Sequence, residues 1–277
     1  MPALDSAADW LAEHGHHIRK LCIAASAWEA GGDAHEAVAY ALEAVGAARQ
    51  LKSSSDSMGT LSVLRSLELS GASISLQPGA RLPPSITRLA VCLSNSPEVL
   101  EQIAQLPQLR RLQLRDCYFP SDDLSRLSSL AGSLTRLDAA RANLAADGLA
   151  ALTRLQHLNC FAEEHGAMQA IEAALPHLTG LTCLELTGGD WCRWLLPASV
   201  DSLPQLELCL LDHFDPAHWG DGLEPPLPGG PWLASLRWLA ASVSALVLGG
   251  AGLQEAAALE HLDIEALTGA GRRQMTC

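Results

Sequence analysis

The sequence is poor in aromatic side chains, in lysine and in positive charge. Phe, Tyr and Trp make up 4% of its 277 residues, whereas hydrophobic residues make up 48%. Its core must therefore be aliphatic, dominated by Leu and Ala, which suits thin layers better than one deep centre. Lysine occurs only at Lys20 and Lys52, and the formal net charge is −13. That balance argues against general nucleic-acid binding, because phosphate affinity rests on Lys and Arg. No apolar run is long enough to span a bilayer, and the acidic, polar N-terminus shows no secretory signal. The eight cysteines form no C-x-x-C pair, which removes the usual zinc-ribbon and redox motifs. Scattered thiols at Cys117, Cys160 and Cys183 sit inside apolar motifs and suit a reducing compartment. The expected location is cytoplasmic or nuclear, with no membrane partner.

Common catalytic signatures are missing too. The chain has no Gly-rich phosphate loop, no G-x-S-x-G elbow and no H-E-x-x-H pair. His14, His16 and His17 cluster, but no Cys or carboxylate stands at ligand spacing, and a helix end accounts for them. His213, Asp215, His218 and Asp221 form a second loose group that would be the place to look for loop-borne chemistry. The expectation is a protein that is not an enzyme, with no metal and no cofactor.

What the sequence does contain is a repeat. The pattern L-x-x-L-x-L appears at Leu64-Leu67-Leu69, Ile86-Leu89-Val91, Leu109-Leu112-Leu114, Leu134-Leu137-Ala139 and Leu155-Leu158-Cys160. It continues at Leu181-Leu184-Leu186, Leu206-Cys209-Leu211, Leu236-Leu239-Ala241 and Leu259-Leu262-Ile264. Successive copies begin 22, 23, 25, 21, 26, 25, 30 and 23 residues apart. One such unit cannot bury its own apolar face, whereas stacked neighbours bury it jointly. An earlier copy, Ile18-Leu21-Ile23, precedes Leu64 by 46 residues, which reads as two repeats with a degenerate strand near Leu51. Two registers compete: Leu203-Leu206-Leu208 with Leu206-Cys209-Leu211, and Val243-Leu246-Leu248 with Leu236-Leu239-Ala241.

The return paths carry helix signals. Ser96-Pro97-Glu98 offers an N-cap, a first-turn proline and an early acid. Ser121-Asp122-Asp123 reads similarly, and 146–152 and 166–175 are further candidates. The predicted fold is α/β: a right-handed horseshoe solenoid with a parallel concave sheet of about ten short strands and a helical or irregular convex side. Its predicted divisions are an N-terminal capping helix over 1–17, the solenoid over 18–266 and a disordered or truncated tail over 267–277.

The stretch from Leu109 to Cys117 fits L-x-x-L-x-L-x-x-C. The stretch from Leu134 to Leu144, followed by Asp147-Gly148-Leu149, repeats that form with Asn143 one place late. These motifs resemble the helix-containing repeats of ribonuclease-inhibitor-like and F-box-type leucine-rich-repeat proteins, over roughly Ile18 to Ile264. The segment from Ala7 to Gly15, followed by Ile18 to Leu21, resembles the lead-in of plant and green-algal F-box members. That resemblance implies substrate recognition for a ubiquitin ligase. An F-box would need a Leu-Pro start and a Val-Cys-x-x-Trp-like end ahead of the first repeat, and the chain shows neither there. A ligase adaptor would then be reached through a segment upstream of this chain.

Strand alternation predicts which residues a partner would touch. One outward row reads Lys20, Ser66, Arg88, Arg111, Arg136, His157, Cys183, Leu208, Trp238 and His261. A neighbouring row reads Cys22, Glu68, Ala90, Gln113, Asp138, Asn159, Glu185, Leu210, Ala240 and Asp263, and a third contains Arg115, Phe161, Asp212 and Glu265. Like charges at strand separation repel by under about 1 kcal/mol in water, so the arginines do not demand an anion. Either their stems cover the sheet or they receive an acidic partner surface. Trp238, beside Leu208, is a candidate anchor. Trp191 reads as core, Trp194 and Trp219 as convex packing, and Trp10 as part of the capping helix. The Pro/Gly-rich insertion from His213 to Trp232 is either a tolerated surface loop or a functional one. The expected partner-binding residues are Arg88, Arg111, Arg115, Arg136, His157, Phe161 and Trp238. The expected function is capture of a protein by a monomeric scaffold, with an inhibitor, an immune-receptor-type domain and a loop-borne enzyme as competing readings.

Overall fold

The computed structural model describes residues 18–24, 64–70, 82–92, 97–115, 123–139, 146–162, 165–188, 198–212, 230–241 and 255–264. Each L-x-x-L-x-L copy becomes one short strand, because alternate residues face opposite sides of an extended chain. The strands are β1 (Lys20–Ala24), β2 (Ser66–Ser70), β3 (Arg88–Cys92), β4 (Arg111–Arg115) and β5 (Arg136–Ala139). They continue with β6 (His157–Ala162), β7 (Cys183–Gly188), β8 (Leu208–Asp212), β9 (Trp238–Ala241) and β10 (His261–Ile264). All ten form one sheet in chain order, and every neighbouring pair is parallel. One parallel strand per Leu-patterned unit, stacked in chain order, is the arrangement of a leucine-rich-repeat solenoid.

The inward residues stack into continuous apolar ladders. Leu67, Leu89, Leu112, Leu137, Leu158, Leu184, Cys209 and Leu239 are paired strand to strand and buried. The end members Leu21 and Leu262 are only partly covered, since each has one neighbouring strand. The return paths supply the second layer. They include helices α1 (Pro97–Ala104), α2 (Ala146–Ala150), α3 (His165–Ala174) and α4 (Trp232–Ser235). Tighter 3₁₀ turns span Asp123–Leu130, Leu175–His177 and Ala198–Ser202. Leu100 and Ile103 of α1, Leu127 and Leu130, Leu149, and Ile171 of α3 press inward. Pro97 opens α1, where its missing N–H costs nothing. The helix expected after Ser121 is a 3₁₀ turn instead. Helix α3 gives way to the 3₁₀ turn at Leu175-Pro176, where Pro176 has no N–H with which to continue the α-helical ladder.

A second lock joins the repeats at the strand entrances. The Arg19 carbonyl accepts from the N–H groups of both Arg65 and Ser66, at 2.9 and 3.0 Å. The same doubled acceptance recurs at Arg65, Thr87, Arg110, Thr135, Gln156, Thr182, Glu207 and Arg237. Three threonines reinforce it: the hydroxyls of Thr87, Thr135 and Thr182 donate to the carbonyls of Arg65, Arg110 and Gln156, each at 3.1 Å. Thr182→Val keeps the shape and removes one donor, while the Gln156 carbonyl keeps two N–H partners. The expected loss is at most about 1 kcal/mol, read by urea denaturation.

Both doubtful registers resolve. Leu206 and Cys209 are buried while Leu208 is half-exposed, and β9 begins at Trp238 after buried Leu236. One expectation fails. Strand β1 pairs directly with β2, with Lys20 opposite Ser66 and Leu21 opposite Leu67. No further strand lies between them in the sheet, so a second repeat in the 46-residue interval contributes no strand there. The predicted helix over 1–17, the tail over 267–277 and the candidate strand near Leu51 lie outside the described residues.

Candidate functional site

The outward face of the sheet forms in the predicted rows. Lys20, Ser66, Arg88, Arg111, Arg136, His157, Cys183, Leu208, Trp238 and His261 are Cα partners in unbroken succession. The row from Cys22 to Asp263 runs beside it in the same register. In the third row, Arg115 pairs with Cys92 and Phe161 with Thr187 by backbone, and their side chains lie outside the described residues. Trp10, His14, His16, His17, Trp191, Trp194, Trp219, Glu265 and the group from His213 to Asp221 also lie outside them.

At the β1–β5 end, the face holds a trough of about 310 Å³. Lys20, Arg88, Arg111 and Arg136 line it, together with the carboxylates of Glu68 and Asp138. Four cations against two acids make a locally basic surface on a chain of net charge −13. The Gln113 side-chain amide donates to Asp138 at 3.0 Å, which ties two adjacent strands through the second row.

At the other end, Trp238 is 42% exposed, the one large exposed hydrophobic among the described residues. Its ring stacks on His261 with centroids 4.8 Å apart and planes 13° apart. Sequence reasoning placed both in one row but did not foresee the stack.

Between these ends lies a group that sequence spacing missed. His157 Nε2 approaches Glu185 Oε1 at 3.2 Å, and Cys183 Sγ lies 3.7 Å from the same oxygen. The His157 side chain is 15% exposed and that of Glu185 is 25% exposed. The imidazole beside it holds the Glu185 carboxyl below its ordinary range, against the opposing effect of burial. Burial pushes the Cys183 thiol up to about 12, and Glu185 adds to the rise. Burial likewise pushes Cys209 up to about 12 and raises Cys160 further. As isolated groups these are thiols at neutral pH, not thiolate nucleophiles.

No protein-family model matches this sequence, and no curated protein does. Solved structures with a similar fold include an internalin from Listeria monocytogenes. That match has a TM-score of 0.49 and 17% identity and covers 90% of this chain and 67% of the internalin. A leucine-rich-repeat protein of Leptospira interrogans matches with a TM-score of 0.37 and 12% identity, over 94% of this chain and 76% of that one. At these TM-scores and identities the fold rests on the strand order and pairing of this chain.

Proposed function

We propose that this chain is a protein-interaction scaffold that captures an acidic segment of a partner on the outward face of its sheet. The supporting observation is the trough, where register holds Arg88, Arg111 and Arg136 on successive strands above Glu68 and Asp138. Nine parallel pairings fix the strands that carry these side chains before any partner arrives, which limits the ordering cost of association. The local charge would attract carboxylates that the rest of the chain repels, giving selectivity and a fast encounter. The Trp238–His261 stack offers an apolar contact at the far end of the same row.

The test uses a fluorescently labelled Glu-rich peptide and its Gln-rich counterpart. The Glu-rich peptide is expected to bind, more weakly as salt rises. The double variant Arg111→Glu, Arg136→Glu should reduce its affinity by about tenfold or more. Equal affinity for the double variant and the parent would refute the arginine row as the contact.

The finer proposal, substrate recognition for a ubiquitin ligase, draws its support from the F-box-like lead-in over Ala7 to Gly15 and Ile18 to Leu21. It predicts co-purification of the F-box adaptor with the product of the full-length transcript. Absence of the adaptor from that purification would remove the ligase role and leave the scaffold reading standing.

A further inference from the structure

We propose that His157, Cys183 and Glu185 form a three-ligand zinc site on the outward face of the sheet, with a fourth position open to water. Strand β6 supplies the imidazole, and β7 supplies the thiol and the carboxylate two residues further on. His157 and Cys183 are Cα partners. All three ligand atoms therefore lie within 4.8 Å of one another.

The distances are also those that a shared ion would leave between its ligands. Ligand atoms about 2.0–2.3 Å from a tetrahedral zinc lie about 3.3–3.8 Å apart. The His157–Glu185 and Cys183–Glu185 separations, 3.2 and 3.7 Å, already match two such edges. Only the His157–Cys183 edge would need adjustment, by about 1 Å or less. His157 Nε2 is buried and makes no aligned hydrogen bond despite its closeness to the carboxylate. A second buried atom lacking a hydrogen-bond partner, Asn159 Oδ1, belongs to the residue opposite Glu185 on β6. It could accept a hydrogen bond from a metal-bound water.

The donor set selects the ion. A thiolate, an imidazole and a carboxylate together suit zinc, whereas magnesium and calcium take oxygen ligands almost exclusively. The zinc would add positive charge immediately beside Arg136 in the first row, with Asp138 and Glu185 in the adjacent row to offset it. A partner side chain could replace the water, so the site lies on the proposed binding face but does not depend on the acidic-segment reading.

Cobalt(II) is the probe. The full chain, kept reduced with a non-thiol reductant, is titrated with Co²⁺, and the near-ultraviolet thiolate-to-cobalt band is followed. One Co²⁺ per chain should develop the band, and Zn²⁺ should abolish it by displacement. Cys183→Ser should remove the band while the far-ultraviolet circular dichroism stays unchanged. His157→Gln and Glu185→Gln should each weaken apparent Co²⁺ affinity by about tenfold or more. The histidines at 14, 16 and 17 carry no thiol and are silent in this band. No band in the parent protein, or a band that survives Cys183→Ser, would overturn the proposal. Cys183→Ala serves as the second variant if the serine form fails to fold.

Discussion

Leu112→Asp is expected to abolish cooperative thermal unfolding at the parent temperature and to leave much of the chain in inclusion bodies. Leu112 is 1% exposed and stands between Leu89 of β3 and Leu137 of β5. Removing the leucine forfeits about 1.5–3 kcal/mol of burial. The carboxyl meets only apolar neighbours across both layer interfaces, so it enters either as an unpaired charge or as a protonated acid with unmet hydrogen bonds. A buried polar group without a partner costs about 1–3 kcal/mol more even when neutral. Together these are comparable with the lower end of the stability of an ordinary domain, about 5–15 kcal/mol.

The repeat architecture shapes how that damage spreads. Each unit is stabilised mainly by the interface to its neighbour, and Leu112 belongs to two of those interfaces. The defect should therefore break the array at β4. Hydrogen exchange should show lost protection over β3, β4 and β5 first, with β7 and β8 retaining the most. Arg111→Asp is the matched control, one residue away and outward-facing. It should shift the midpoint by no more than about 1 kcal/mol. If Leu112→Asp unfolded like the parent while Arg111→Asp did not, the inward and outward faces would have been exchanged, as a one-residue slip requires.

That contrast also explains what was legible in the sequence. Strand position and facing follow from a period of two inside a period of about 24, and both survive in a single chain. The arginine row and Trp238 were readable for the same reason. The register doubt at Leu203-Leu206-Leu208 had a physical source. The turn before each strand also places a leucine every third residue, as in Leu175-Leu178-Leu181-Leu184 and Val200-Leu203-Leu206-Cys209. Each of those turns is closed by i to i+3 hydrogen bonds, such as Leu178 N–H to the Leu175 carbonyl at 3.0 Å. The apolar spacing of turn and strand thus runs together, and only pairing to the neighbouring repeat separates them. The direct pairing of β1 with β2 was hidden because chain distance does not report how much of a connection leaves the sheet.

The His157, Cys183 and Glu185 group escaped for a related reason. Motif searches look for ligands at short spacing, whereas 26 residues separate His157 from Cys183. In a solenoid the relevant neighbour is one repeat away. Reading across adjacent rows places His157 beside Cys183, and Cys183 two residues from Glu185. That signal was present in the rows, but it becomes a site only when side-chain reach is known.

Trp232→Ala should be the most damaging truncation outside the sheet, costing about 3–5 kcal/mol. The sequence presents Trp232 as the far end of a Pro/Gly-rich insertion, where a tryptophan would read as loop. It is instead the largest fully buried side chain among the described residues and the first residue of α4. The local chain is arranged to deliver it there. Gly230 has a φ of 156°, and a Cβ at that position would collide with the Asp201 carboxylate of the preceding repeat. Pro231 then leads into the short helix. At the end of α4, the Ser235 hydroxyl lies 2.9 Å from the Leu206 carbonyl and 3.2 Å from that of Trp232. These contacts seat α4 against the Ala198–Ser202 turn, so the indole fills the convex layer behind β8 and β9. Four helical residues cannot hold themselves together by propensity alone, and the packing of Trp232 and Leu233 must therefore supply their order. Alanine would leave a cavity at the place where the longest insertion between the β2–β10 copies rejoins the repeat. Guanidinium unfolding should show a lower midpoint for Trp232→Ala, with increased proteolysis between β8 and β9. Trp232→Phe, which keeps most of the apolar volume, should recover the greater part of the loss. If Trp232→Ala matched the parent in both measurements, α4 would not be held by this side chain.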